Sequence, residues 1–151
     1  MKKEDNLREQ FKQALISTIK VISEEYKIDK NIKKNLSSNN YNFFELDNLN
    51  TRQDYINLRA GTDSEALRRK FSDKFIYNKN LPKNNTCRSL YDVSEKIRYE
   101  ILGSKMLKGI SKNLKEHYTN KISLKRKDQL KSKEDVNVSE AFELYMLKNF
   151  F

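Results

Sequence analysis

The chain has few of the residues that most often carry chemistry. Its 151 residues include one cysteine (Cys87), one histidine (His117), one proline (Pro82), three glycines and no tryptophan. One cysteine cannot build an internal disulfide framework or a cysteine-only zinc site, so a free thiol in a reducing compartment is expected. One histidine excludes the paired-histidine zinc motif, and His117 is expected on the surface with no ligand role. Scarce glycine and proline disfavour sandwiches and barrels, whose many turns need them. No stretch approaches the roughly 20 apolar residues of a membrane-spanning helix. The opening MKKEDNLREQ lacks the continuous apolar core of a signal peptide. A soluble, cytoplasmic protein is therefore expected. The glycine-rich phosphate loop and the Gly-x-Ser-x-Gly elbow are missing as well, so no catalytic, cofactor-binding or metal-binding residue is assigned.

What remains is a chain rich in charge and in helical periodicity. Apolar residues make up 36% and charged residues 34%, so the core is lean and must draw on eight tyrosines and eight phenylalanines. Apolar residues recur at helical spacing in four stretches, near 7–26, 51–71, 89–118 and 138–150. The expected fold is mainly α, a single small helical domain over residues 1–151. Tyr26 to Asn50 is richer in asparagine and serine, with room for a short β-hairpin near residues 28–46. Phe11, Leu15, Ile19, Ile22, Leu58, Leu67, Leu90, Ile97, Ile101 and Leu114 are the expected core. Thr51 with Asp54, and Ser89 with Asp92, have the spacing of capping boxes at helix starts. Gly61 is a candidate kink, and Gly103 and Gly109 mark a break or a close helix contact.

The net charge of +10 is uneven. Lys105 to Lys133 carries ten basic side chains against Glu116 and Asp128, a net of +8, whereas residues 1–50 are nearly balanced. Lys105, Lys108, Lys112 and Lys115 step by three or four and so share one side of a helix. Lys121, Lys125, Arg126 and Lys127 are expected to extend that surface into a polar loop spanning 125–135. Such a surface attracts an acidic protein or nucleic acid, although a run of lysines is also what an ordinary solvated face looks like. The helix at 7–26 has a polar side of mixed sign, unlike the lysine- and arginine-dominated helices that lie on membranes.

The stretch from Arg88 to Leu114 holds a more specific pattern: Arg88, Asp92, Glu95, Arg98, Glu100, Gly103, Gly109, Asn113 and Leu114. In order and spacing it resembles the amino-terminal region of the CobT subunit of aerobic, ATP-dependent cobaltochelatase. That family reads Arg-Ala-hydrophobic-Phe-Asp, Glu-Gln-Ala-Arg-hydrophobic-Glu, then Gly, Met-x-Gly and Asn-Leu. Tyr91 stands for the phenylalanine and Leu107 for the methionine. A second run, Arg59 to Asp73, resembles the family's Arg-Gly-x-Ala-Asp-x-x-Ala-Leu-Arg stretch at Arg59, Asp63, Ala66, Leu67, Arg68 and Asp73, with Ser72 in place of a usual histidine. The opening FKQAL and the closing VNVSEAFELYMLKNFF also resemble their family counterparts.

The resemblance implies a non-catalytic subunit, or a fragment of one, in the machine that inserts cobalt into hydrogenobyrinic acid a,c-diamide. Its implied partners are an AAA+ ATPase subunit of CobS type and a large porphyrinoid-binding subunit of CobN type. The complex is implied to use ATP, Mg²⁺ and Co²⁺, with no cofactor assigned to this chain. A full subunit of the family adds an acidic middle and a carboxy-terminal von Willebrand A domain, which this sequence lacks. Asp92-Val93-Ser94-Glu95-Lys96 only superficially resembles the metal motif of such domains, because Lys96 replaces its second serine. The alternative expectation is a basic helical nucleic-acid-binding protein using the lysine stripe.

Overall fold

A computed structural model describes residues 2–25, 49–128 and 137–151. They form six helices: α1 (Lys2–Ser23), α2 (Arg52–Phe71), α3 (Lys74–Lys79), α4 (Asn85–Met106), α5 (Lys108–Asp128) and α6 (Val138–Phe150). Among the described residues there is no strand. The stretch 28–46, where a hairpin is expected, lies outside them. No helix of the described chain is long and apolar enough to cross a membrane. Two compact units divide the chain, Met1–Lys70 and Phe71–Phe151.

In the first unit, α1 and α2 run side by side in the same direction. The rings of Phe11, midway along α1, and Tyr55, in the first turn of α2, meet with centroids 5.2 Å apart. Near their ends Arg69 pairs with Glu25 at 2.9 Å and Lys70 with Glu24. Glu24 ends α1 with a φ of 60°, the left-handed turn common just past a helix. The start of α2 is a complete capping box, as the spacing of Thr51 and Asp54 leads one to expect. The Asp54 N–H donates to Thr51 Oγ1 at 3.2 Å, and the Thr51 N–H donates to Asp54 Oδ2 at 2.7 Å. Gly61 does not break α2, which is helical throughout. Leu15, Ile19, Ile22, Leu49, Ala60, Ala66 and Leu67 are buried. Phe11 and Leu58, expected in the core, are only half-buried.

The second unit is built around α4, which packs against both α5 and α6. Ile97, Tyr99 and Gly103 of α4, Ile110, Leu114 and Tyr118 of α5 and Leu147 of α6 are its buried centre. Leu90 and Ile101, also expected there, are half-buried. The helix starts depart from expectation. Phe75 to Tyr77 belongs to the short helix α3, capped by Asp73, whose carboxylate accepts from the N–H groups of Phe75 and Ile76 at 2.7 and 3.0 Å. The capping residue of α4 is Asn84, which accepts from Thr86 and Cys87. The helix therefore begins several residues before Ser89. The Ser89 hydroxyl instead donates back to the Asn85 carbonyl at 3.2 Å, as serine does inside a helix.

The long helix expected over 89–118 is two helices joined at one residue. Leu107 is extended (φ −130°, ψ 108°), and its N–H still bonds the Gly103 carbonyl. α5 then continues to Asp128, so Lys125, Arg126 and Lys127 lie on helical backbone and not in a loop.

Candidate functional site

Four charged residues of the Arg88–Leu114 pattern, Asp92, Glu95, Arg98 and Glu100, bond to other parts of the fold, whereas Arg88 is exposed. Asp92 accepts from the Tyr77 hydroxyl of α3. Glu95 takes two hydrogen bonds from Arg98, each at 2.7 Å, and one from the Ser72 hydroxyl. Arg98 holds the Glu95 carboxyl below its ordinary range, against the burial that works to raise it, with the Ser72 bond adding to the effect. A further Arg98 N–H reaches the Phe71 carbonyl at 2.7 Å, satisfying an acceptor at the last turn of α2. Together these contacts pin the segment 71–77 along the first half of α4.

The second half of α4 carries a fully buried acidic side chain. Glu100 has no exposed surface and lies three residues from each of the buried Ile97 and Gly103. Its partner comes from another helix: Tyr118 of α5 donates its hydroxyl to Glu100 Oε2 at 2.5 Å. Burial, reinforced by the neighbouring carboxylate, pushes the Tyr118 hydroxyl well above its ordinary pKa, so it stays protonated and remains a donor. Phe151 covers the Tyr118 ring with centroids 5.3 Å apart.

Beside this pair, Glu143 of α6 joins all three large helices. Its carboxylate meets Lys121 of α5 at 2.9 Å and Lys96 of α4 at 3.5 Å. Burial works to raise the Glu143 pKa, but the two lysines outweigh it and the net shift is downward. The Lys96 ammonium also stands 5.5 Å over the Tyr118 ring. His117 is half-buried here, not a surface residue. Burial, then the charges of Lys96 and Lys121, lower its pKa to about 4, with Glu143 opposing them.

The basic residues expected to form one surface separate into three groups. Lys121 is committed to Glu143 and does not belong to a free stripe. Lys105, Lys108, Lys112 and Lys115 are exposed, and among the described residues none has an ion-pair partner. The side chains of Lys125, Arg126 and Lys127 lie outside the described residues. Also among the described residues, no three histidine, cysteine or acidic side chains group as metal ligands do.

The second pattern, Arg59 to Asp73, is likewise structural. Asp63 is fully buried within 3.9 Å of the Arg59 guanidinium, and the buried Thr62 hydroxyl donates to the Leu58 carbonyl. Glu65 joins Arg68 and Arg69 along the same helix. Each of the two runs of polar residues thus serves the helices around it. The family model of the cobalamin biosynthesis protein CobT matches residues 5–149. The chain belongs to the CobT family. That membership gives it a role in cobalamin biosynthesis. No curated protein and no solved structure gives a match. Within this CobT-family chain, sequence spacing located the residues of the two runs. It did not single out Glu143 and it placed His117 on the surface; the contacts of Tyr118, His117 and Glu143 arise only where three helices meet.

Proposed function

We propose that the chain serves as a non-catalytic subunit, or a piece of one, of the ATP-dependent cobaltochelatase. On this reading it works through protein contacts with the AAA+ subunit of CobS type and the large subunit of CobN type. ATP hydrolysis and the handling of Co²⁺ and its tetrapyrrole acceptor belong to those partners. The observation that carries the reading is the use made of the family pattern. Asp92, Glu95, Arg98 and Glu100 are turned onto Tyr77, Ser72, Phe71 and Tyr118. Residues so engaged build a scaffold, and a scaffold acts through the surface it presents.

Affinity capture tests this directly. The tagged full chain is mixed with purified AAA+ and large subunits, with and without ATP and Mg²⁺. At least one subunit should co-elute in stoichiometric amount. Retention of neither would overturn the reading. The exposed lysines of α5 favour one rival, a nucleic-acid-binding protein. Under the chelatase reading, a DNA duplex binds no better than the nonspecific range of roughly 10⁻⁴–10⁻⁶ M. Sequence-dependent nanomolar binding would move the assignment to the rival.

A further inference from the structure

The corner where α4 gives way to α5 is built against the interests of the fold. Lys105 through Gly109 are five successive exposed residues. Three apolar side chains stand in water here: Leu102, 37% exposed, Met106, 56%, and Leu107, 43%. Lys105 and Lys108 flank Met106 and Leu107 in the chain, and Lys112 and Lys115 follow on α5, all four exposed. The last three recur at i, i+4 and i+7 on α5, where like charges repel. Lys108 also opens α5, whose first turn holds no acidic residue, so its charge opposes the helix dipole. Gly109 adds to the pattern. Its φ is not positive, and a Cβ built on it meets nothing within 4 Å. The fold thus has no need of glycine there, and glycine weakens a helix relative to alanine.

Three separate costs at one corner share one relief, a partner that is acidic, apolar at its centre and close to the backbone at Gly109. We propose that this corner is a docking surface for an acidic amphipathic segment of a partner protein. Leucine-like side chains of that segment cover Leu102, Met106 and Leu107, and its carboxylates meet the four lysines. The proposal rests on the reading of the chain as a subunit acting through protein contacts and says where one such contact lies. Charge and apolar area together favour protein over nucleic acid, whose phosphates would use the lysines but leave the apolar side chains wet. A membrane surface is a poorer match. The apolar side of α5, with Ile110, Leu114 and Tyr118, is already buried, so only three apolar side chains are on offer.

The test titrates the full chain with a labelled synthetic helical peptide, glutamates on one side and leucines on the other. Its leucine-to-serine counterpart, a nonspecific DNA duplex and phosphatidylserine vesicles serve as competing probes. The glutamate–leucine peptide should bind tightest. Lys108→Glu, Lys112→Glu and Lys115→Glu together should weaken it by about tenfold or more. The same charge change placed at Lys74, Lys79 and Lys83 should have little effect. Gly109→Ala should raise the thermal midpoint and still weaken the peptide, a combination that mere structural damage does not produce. Equal loss from both triple variants would overturn the proposal, as would tighter binding of the duplex, the vesicles or the serine peptide. Capture of the chelatase subunits discriminates the two levels of inference. If the variant at Lys108, Lys112 and Lys115 captures them as well as the unaltered chain, the corner proposal falls and the subunit reading stands. If the unaltered chain captures neither, the subunit reading falls, and the peptide titration still decides the corner.

Discussion

Tyr118 donates its hydroxyl to Glu100 across 2.5 Å, and both residues are almost wholly buried. A carboxylate placed so deep needs a donor that stays protonated, and the raised tyrosine pKa ensures one. Tyr118→Phe removes that donor while keeping the ring. It should destabilise the chain by about 1–3 kcal/mol. Glu100→Gln, which keeps an acceptor and loses the charge, should cost less. Urea denaturation followed by circular dichroism measures both, and an unchanged midpoint for Tyr118→Phe would count against the pair as a structural lock.

Glu143 is the point at which α6 is tied to both neighbours. Glu143→Ala leaves Lys96 and Lys121 facing one another without a counter-charge, and a loss of about 1–3 kcal/mol is expected. Replacing Lys121 by methionine in the same background should recover part of it. The two changes are in contact and therefore should not add. A double-mutant cycle in urea reads the coupling, and strict additivity would mean that the ion pair contributes nothing.

Stability should fall as pH drops from about 6.5 to about 4, because the His117 pKa is lowered from 6.5 to about 4. The fold favours the neutral ring and the unfolded chain takes up the proton first, so this contribution is complete above 6.5 and lost as pH falls through that window. His117→Gln should flatten the slope there. The lowered carboxyls, Glu143 and Glu95 among them, contribute linkage of the same sign in a more acidic window. Their stability is present above the ordinary carboxylate range and lost further into acid. Thermal midpoints measured across pH for both proteins separate the two effects.

Asn84, not Ser89, should prove to be the cap of α4. Asn84→Ala should destabilise by about 0.5–2 kcal/mol, as loss of a capping side chain does. Ser89→Ala should be close to neutral or slightly favourable. A larger loss from the serine would place the helix start where its spacing with Asp92 suggests.

Much of the helical content could be read from the sequence because apolar spacing is a local property. Leu15, Ile19, Ile22, Leu67, Ile97 and Leu114 are buried as their periodicity requires. The break at Leu107 was hidden for the same reason. Met106, Leu107, Ile110 and Leu114 keep the spacing of three to four across it, though the first two are exposed and the last two buried. The start of α4 was hidden because two side chains offer a plausible cap and only the backbone chooses between them. Burial of Glu100 and Asp63 could not be read either. A charged residue goes inside only when a partner waits there, and Tyr118 for Glu100 comes from a different helix. The same holds for the basic surface. Spacing brought Lys108, Lys112 and Lys115 together, but only the position of Glu143 shows that Lys121 is already engaged.

The single extended residue between α4 and α5 fixes more than a bend. Each residue of an α-helix turns the chain by about 100°. With no slack in the joint, one residue inserted in the first turn of α5 would rotate everything after it by that amount. Ile110, Leu114 and Tyr118 would swing away from α4, and the side bearing Lys112 and Lys115 would turn toward the interior. The length of this joint is therefore a phase setting, deciding which side of α5 is core and which is left for other molecules. Lineages of this chain should tolerate substitution at Leu107 far better than a gain or loss of length beside it.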